Sequence, residues 1–378
     1  MKKEVLIIAG EDSGDLHGSS LIAEIKKISP QINFCGIGGD RMKSNGMDLI
    51  YHINKMSFLG FVEVVKHIPF IKKVQKDLLK IVEEKKIKTA VLIDYPGFNL
   101  NFAKKLQANG VNIIYYISPQ IWAWGSGRIE KIKKLVKKMI VVFPFEEKIY
   151  KEHGVDAEFV GNPLIERMNH YNFLSKEDLY KKFSLDNAKE ILLLLAGSRK
   201  QEIVKIFPET IKAAISVAKN FNLQVVVACA SNINEKEIQD LSEEKNYKVI
   251  KGFTYDLMKH SKVGIVKSGT STIEAALLEL PMLIVYRTSW LTYTIGKQLI
   301  NLKNIGMPNI IAGETVVPEL IQNDVNQKEI ENKLTEILSD GSKLNSIKEK
   351  LSRIKNILGS KNASSNAAKI ICDEINEH

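Results

Sequence analysis

The chain has 378 residues, enough for two or three domains at about 150 residues each and for a core that needs no staples. Its composition is 44% hydrophobic and 26% charged, with a formal net charge of +10. This excludes an acidic disordered tail, a collagen-like repeat and a disulfide scaffold. Cys35, Cys229 and Cys372 are scattered and lack any C-x-x-C spacing, which fits a reducing compartment and offers no zinc site. The apolar run Val5–Ala9 is too short for a secretory core of about 7–15 residues. Ile191–Ala196 is likewise far short of the roughly 20 residues of a membrane span. The expectation is a cytoplasmic protein that can lie on a membrane surface.

Short apolar, β-branched runs alternate with longer helical patterns, predicting βαβ units and parallel sheets. The first strand, Val5–Ala9, ends in AGEDSGD (9–15) before a helix over Leu16–Ile28. Gly10 and Gly14 let the backbone turn, Ser13 or Asp15 can cap the helix, and its unpaired N–H groups suit an anion. Three carboxylates beside two glycines favour a site over simple complementation of the helix dipole, with Ser13 a candidate substrate contact and Glu11 a candidate catalytic residue that assists Asp94 in removing a proton. The strand Phe34–Ile37 enters GIGGD (36–40), and neither stretch completes G-x-G-x-x-G, so dinucleotide binding lacks its fingerprint. Residues 57–82 interleave Phe58, Leu59, Phe61, Val62, Val65, Phe70 and Ile71 with Lys66, Lys72, Lys73 and Lys76. That mixture suits a membrane interface, and equally a core helix with a basic outer face.

The strand Ala90–Asp94 leads into Tyr95, Pro96 and Gly97 and then a helix over Leu100–Asn109. An aspartate leaving a buried strand can have its pKa raised by desolvation, which suits a general base; an Asx-turn is the plainer alternative. After the strand Asn112–Ile117, SPQIWAWGSGR (118–128) carries Trp122 and Trp124, read as a wall for a sugar or an acyl chain. The following RIEKIKKLVKK has six cations and one acid between Arg128 and Lys138, a solvated helix face with Ile129, Ile132, Leu135 and Val136 inward. A strand over Met139–Val142 closes the first domain, 1–165, and a polar linker is placed at 166–187.

A second domain, 188–340, opens on the strand Ile191–Leu195, which delivers Gly197, Ser198 and Arg199 at its end. Arginine forks onto phosphate and can neutralise a departing diphosphate. Strands follow at Gln224–Cys229, Lys248–Ile250, Val263–Val266 and Met282–Val285. SGTSTIE (268–274) then offers Ser268, Gly269, Thr270, Ser271 and Thr272 at a helix start suited to phosphate oxygens. Glu274 can accept from ribose hydroxyls; a capping box between Thr270 or Ser271 and Glu274 is the alternative. From 341 to 378 the pattern is helical, a tail able to pack back on the first domain. There is no D-x-D and no histidine cluster, so no metal and no cofactor is expected, and a diphosphate would depart on Arg199 and helix termini. Two open α/β domains facing one another would place a cleft between the carboxyl ends of both sheets.

Taken together and in order, AGEDSGD, GIGGDRM, FLGFVEV (58–64), IDYPGFN (93–99), SPQIWAW and PFE (144–146) continue with GNPL (161–164), LAGSRKQE (195–202), SGTSTIE, PNIIAGE (308–314) and VPELIQ (317–322). This series resembles lipid-A-disaccharide synthase, a family of inverting glycosyltransferases with two Rossmann-like domains (GT-B). The resemblance implies transfer from UDP-2,3-diacylglucosamine to 2,3-diacylglucosamine 1-phosphate, giving a β-1,6-linked disaccharide phosphate and UDP in lipid A biosynthesis. It also implies an enzyme peripheral to the inner face of a Gram-negative inner membrane. Asp94 matches the aspartate needed for catalysis, and Arg199 and Asn309 match polar residues on which activity depends. Glu319 and Gln322 are further expected substrate contacts. Gly97 stands where the family often has a second acid, Asn162 replaces a histidine, and Ala196 replaces a proline. Expected partners are the two acylated sugars and an anionic membrane, with a homodimer as one option and no nucleic acid. The rivals are another UDP-sugar enzyme, such as a muramyl-pathway transferase or an epimerase, and a non-catalytic basic membrane-surface protein.

Overall fold

In the computed structural model, residues 3–56, 67–119, 128–230, 232–288, 304–359 and 362–377 are described. The chain forms two compact units, Met1–Glu166 with Leu358–His378, and Arg167–Ile357. Each is an open, wholly parallel sheet dressed with helices, the two Rossmann-like domains that the sequence predicts.

The first sheet contains β1 (Lys3–Ala9), β2 (Ile32–Gly38), β3 (Met47–His52), β4 (Thr89–Ile93), β5 (Asn112–Tyr116), β6 (Lys138–Val141) and β7 (Ala157–Phe159). Their spatial order is β3-β2-β1-β4-β5-β6-β7. Val5–Ala9 and Thr89–Ile93 are buried throughout, as strands covered on both faces must be. The second sheet contains β8 (Glu190–Leu195), β9 (Leu223–Cys229), β10 (Tyr247–Lys251), β11 (Ser261–Lys267), β12 (Met282–Tyr286) and β13 (Glu319–Ile321), in the order β10-β9-β8-β11-β12-β13. In each sheet the chain builds outward from its first strand, then returns to that strand's other side. The strand order therefore reverses between β1 and β4, and again between β8 and β11. Ligands of open α/β sheets bind outside the strand ends at such reversals.

The expected linker at 166–187 needs correcting. Residues 167–187 are not a free linker: Asp256, fully buried, accepts hydrogen bonds from Tyr171 Oη at 2.5 Å and the Leu174 amide at 2.7 Å, which folds them into the second unit. The helical tail also divides. The helix Gly341–Ile357 belongs to the second unit, whereas Ala363–Asn376 packs on the helix Asp12–Ile28 of the first. The latter is held by Ser364 N on Glu166 Oε2 at 3.0 Å and by Lys3 Nζ on the Ile375 carbonyl at 2.7 Å. Cys35, Cys229 and Cys372 are free and buried.

Candidate active site

At the reversal in the first unit, Ala9 of β1 lies in register beside Ile93 of β4. The residues leaving those strands, Gly10–Glu11 and Asp94–Tyr95, are therefore neighbours. Asp94 and Tyr95 both adopt left-handed backbone, with φ of 44° and 46°. For non-glycine residues this costs on the order of 1–3 kcal/mol each and persists only where the surroundings enforce it. Here they do. The Asp94 carbonyl accepts from Tyr115 Oη at 2.5 Å and from Asn99 Nδ2 at 2.8 Å, and the Tyr95 hydroxyl donates to the Met56 carbonyl at 2.8 Å. Gly10 is part of the same clamp, because a Cβ there would stand 2.2 Å from the Tyr95 ring.

The Asp94 carboxyl is half-buried, and its pKa is raised from 3.8 to about 6. Desolvation is the main cause and repulsion from Glu11 the second, against a hydrogen bond from the Tyr95 backbone. Glu11 is exposed at the N-cap of the helix Asp12–Ile28 and makes no side-chain cap. Ser13, also exposed, lies in that helix's first turn. Asp15 is no cap either. Buried at the 2% level, it accepts from the backbone of Gly39 (2.7 Å), Met42 (3.1 Å) and Arg41 (3.2 Å), anchoring the turn after β2. Gly97 is exposed, with open space where a Cβ would be. Asn162, buried, accepts from the Leu164 amide at 3.0 Å and donates to the Val142 carbonyl at 3.2 Å. Trp122 and Trp124 lie outside the described residues.

At the reversal in the second unit, β8 exits through Gly197, whose φ of 115° is open to glycine alone, into exposed Ser198 and Arg199. Arg199 occupies the N-cap of the helix Lys200–Asn220, and its Nη1 lies 3.7 Å from Glu202 Oε1. From β11, Ser268 and Gly269 lead into the helix Thr270–Leu277, with Gly269 at the N-cap and no side-chain cap. The capping box weighed as the alternative therefore does not form. Glu274 instead accepts from Tyr255 Oη at 2.7 Å, and burial raises its pKa. Thr270 is exposed, whereas Thr272 Oγ1 donates back to the Gly269 carbonyl at 2.7 Å and Ser271 Oγ to the Lys267 carbonyl at 3.3 Å. Backbone N–H groups, more than hydroxyls, are what this turn offers an anion.

Three expected substrate contacts spend their polar atoms inside the unit. Asn309, fully buried, donates to the Val317 carbonyl (2.8 Å) and Glu319 Oε1 (2.6 Å) and accepts from the amides of Val316 (2.7 Å) and Val317 (3.0 Å). Those four bonds exhaust a carboxamide. Glu319 also accepts from the amides of Ile305 (2.8 Å) and Gly306 (3.0 Å). Gln322 Oε1 accepts from the Thr288 amide at 2.7 Å. These side chains clasp the segments after β12 and before β13. Asn309→Ala strands several buried polar groups, so it should lower stability by about 3 kcal/mol, read as an earlier urea transition. An unchanged midpoint would show that the clasp is not needed.

The whole chain has relatives to match this geometry. The family model described as Lipid-A-disaccharide synthetase matches residues 5–375. Lipid-A-disaccharide synthases of Syntrophus aciditrophicus and Geobacter metallireducens are 39% and 37% identical, over 97% and 98% of this chain and 96% and 97% of theirs. The chain belongs to the lipid-A-disaccharide synthase family. It is a glycosyltransferase of lipid A biosynthesis that uses a UDP-sugar and lipid substrates. Solved structures agree on the fold. A UDP-GlcNAc 2-epimerase from Neisseria meningitidis bound to UDP-GlcNAc superposes with a TM-score of 0.67 at 16% identity, covering 99% of this chain and all (100%) of that one. The calicheamicin glycosyltransferase CalG4 gives 0.61 at 12% identity, covering 100% of this chain and 99% of that one. At such identities the likeness speaks for the GT-B fold alone, so the epimerase rival gains nothing from it. Within the synthase fold, reasoning from sequence missed Asn99 and Tyr115, which fix the Asp94 backbone, and Lys267 and Glu202 beside Arg199. A hydrophobic residue's hydroxyl and a strand-end lysine carry no signal of their own.

Proposed function

We propose that this synthase joins UDP-2,3-diacylglucosamine to 2,3-diacylglucosamine 1-phosphate. Asp94 takes the proton of the acceptor's 6-hydroxyl as its oxygen attacks the donor's anomeric carbon from the face opposite UDP. The new C–O bond forms as the bond to the diphosphate breaks, the configuration inverts, and UDP leaves with the bonding pair. Arg199 and the helix start Ser268–Thr272, through the backbone N–H groups of Gly269, Thr270 and Ser271, take up the charge on the diphosphate. Asp94 carries the reading: a carboxylate at a strand-order reversal whose raised pKa makes it a stronger base than an ordinary aspartate yet leaves it ionised near neutral pH. Incubating the purified protein with both acylated sugars and EDTA should give disaccharide and UDP in equal amounts. A deacylated donor should be inert. Turnover of that donor, or epimerisation of a UDP-sugar without acceptor, would favour the rival enzymes.

The acylated substrates call for work at the cytoplasmic face of the inner membrane. No described helix is long and apolar enough to cross a membrane. The helix Ile68–Glu84 buries Val74, Gln75, Leu78 and Val82, while Phe70 and Ile71 pack half-buried on the same core. Lys72, Lys73, Lys76 and Lys80 are exposed, with Ile68 exposed at the start of the helix. Phe70 and Ile71 pack on the core, so the interface reading rests on the cations and Ile68; Phe58, Leu59, Phe61, Val62, Val65 and Lys66 lie outside the described residues. Each cation near an anionic surface contributes about 1 kcal/mol. Vesicle sedimentation should show binding to anionic but not neutral vesicles, weakened by salt and by Lys72→Glu with Lys76→Glu. Equal partition into neutral vesicles would remove the electrostatic part.

A further inference from the structure

The turn that carries Arg199 faces a second cation. Lys267 is the last residue of β11, directly before Ser268 and Gly269. Its Nζ lies 2.9 Å from Glu202 Oε1, the same oxygen that stands 3.7 Å from Arg199 Nη1. Its side chain is 15% exposed, and Nζ sits 5.9 Å from the centre of the Tyr286 ring, at the end of β12. A Cβ placed on Gly269 would be 4.0 Å from Nζ, so the ammonium lies beside the start of the helix Thr270–Leu277. Two cations thus converge on one carboxylate where the strand order reverses. The arrangement has one positive charge more than its carboxylate can neutralise. A diphosphate supplies what is missing, and oxygens at the helix start would fall within reach of both cations.

We propose that Lys267 is a second cation of the nucleotide-diphosphate site, contacting the diphosphate beside Arg199, with Glu202 holding its ammonium in position. This rests on the reading that the second unit binds the UDP-sugar. In the bound state the phosphate oxygens share both cations with Glu202. The lysine thereby supplies positive charge that would otherwise fall to Arg199 and backbone dipoles alone.

The alternative is that Lys267 only neutralises Glu202, and a charge-balanced pair of substitutions separates the two. UDP and uridine are titrated against the whole protein, Lys267→Gln, Lys267→Arg and the double variant Glu202→Gln with Lys267→Gln. Lys267→Gln should weaken UDP about tenfold, a change of about 1.4 kcal/mol, and leave uridine within twofold, which also shows that the variant is folded. Lys267→Arg should recover most of the loss. The double variant removes both charges and should remain weak for UDP. Wild-type UDP affinity in the double variant would overturn the proposal, as would equal losses for UDP and uridine. Failure of the unmodified protein to bind UDP would overturn the nucleotide site itself, and the proposal with it.

Discussion

Asp94→Asn should lower turnover by about 10²–10⁴-fold, the usual cost of losing a positioned base, while UDP affinity stays within twofold. The amide keeps the shape and the backbone clamp from Asn99 and Tyr115 but accepts no proton. The same substitution should make the fold more stable near neutral pH. Asp94's carboxyl titrates at about 6 in the folded chain against 3.8 ordinarily, so the folded state holds the proton more tightly. Its contribution is complete below about pH 4 and is lost as pH rises through about 6. A shift of that size corresponds to roughly 3 kcal/mol. Urea titrations should therefore show Asp94→Asn gaining up to about that amount at pH 7.5 and no such gain at pH 4. Lost turnover together with lost stability would mean that Asp94 is structural. Unchanged turnover would remove it from the chemistry.

Arg199→Met should lower turnover by about 10²–10³-fold, the scale seen when one donor to a developing negative charge is removed. Unlike Asp94→Asn, it should also weaken UDP binding. Arg199 is exposed at the N-cap of the helix Lys200–Asn220, so its loss should leave the unfolding midpoint nearly unchanged. Arg199→Lys restores the charge without the planar fork and should recover only part of the rate. A variant with normal turnover and normal UDP affinity would place the diphosphate elsewhere.

The parts of this fold that sequence reveals are those where burial is two-sided. Val5–Ala9, Ala90–Ile93 and Ile191–Leu195 are continuous apolar runs because helices cover both faces of their sheets. β3, β7 and β13 escape notice: β7 and β13 are three residues long, and β3 is largely half-exposed at the sheet's edge. Strand ends that reverse the sheet order point to Asp94, Glu11, Ser198, Arg199 and Ser268, although a turn or a cap, such as an Asx-turn at Asp94, is an equally plain reason for a polar residue there. Asn309, Glu319 and Gln322 show the limit. A polar side chain that clasps nearby backbone and one that faces a substrate are the same residue type. The distinguishing partners, such as Val317 for Asn309 and Thr288 for Gln322, come together only on folding. The converse holds for Lys267, a strand-end cation that reads as a flanking charge until Glu202 and Arg199 are seen around it.

The most direct test of Asp94 as the base is the pH dependence of kcat/KM, measured for the unmodified enzyme and for Glu11→Gln. The unmodified enzyme should lose activity as pH falls through about 6, where Asp94 takes up its proton. Removing the neighbouring negative charge should move that limb to lower pH while a substantial rate survives. An acidic limb that ignores Glu11→Gln, or a rate that Glu11→Gln abolishes as completely as Asp94→Asn, would contradict the assignment.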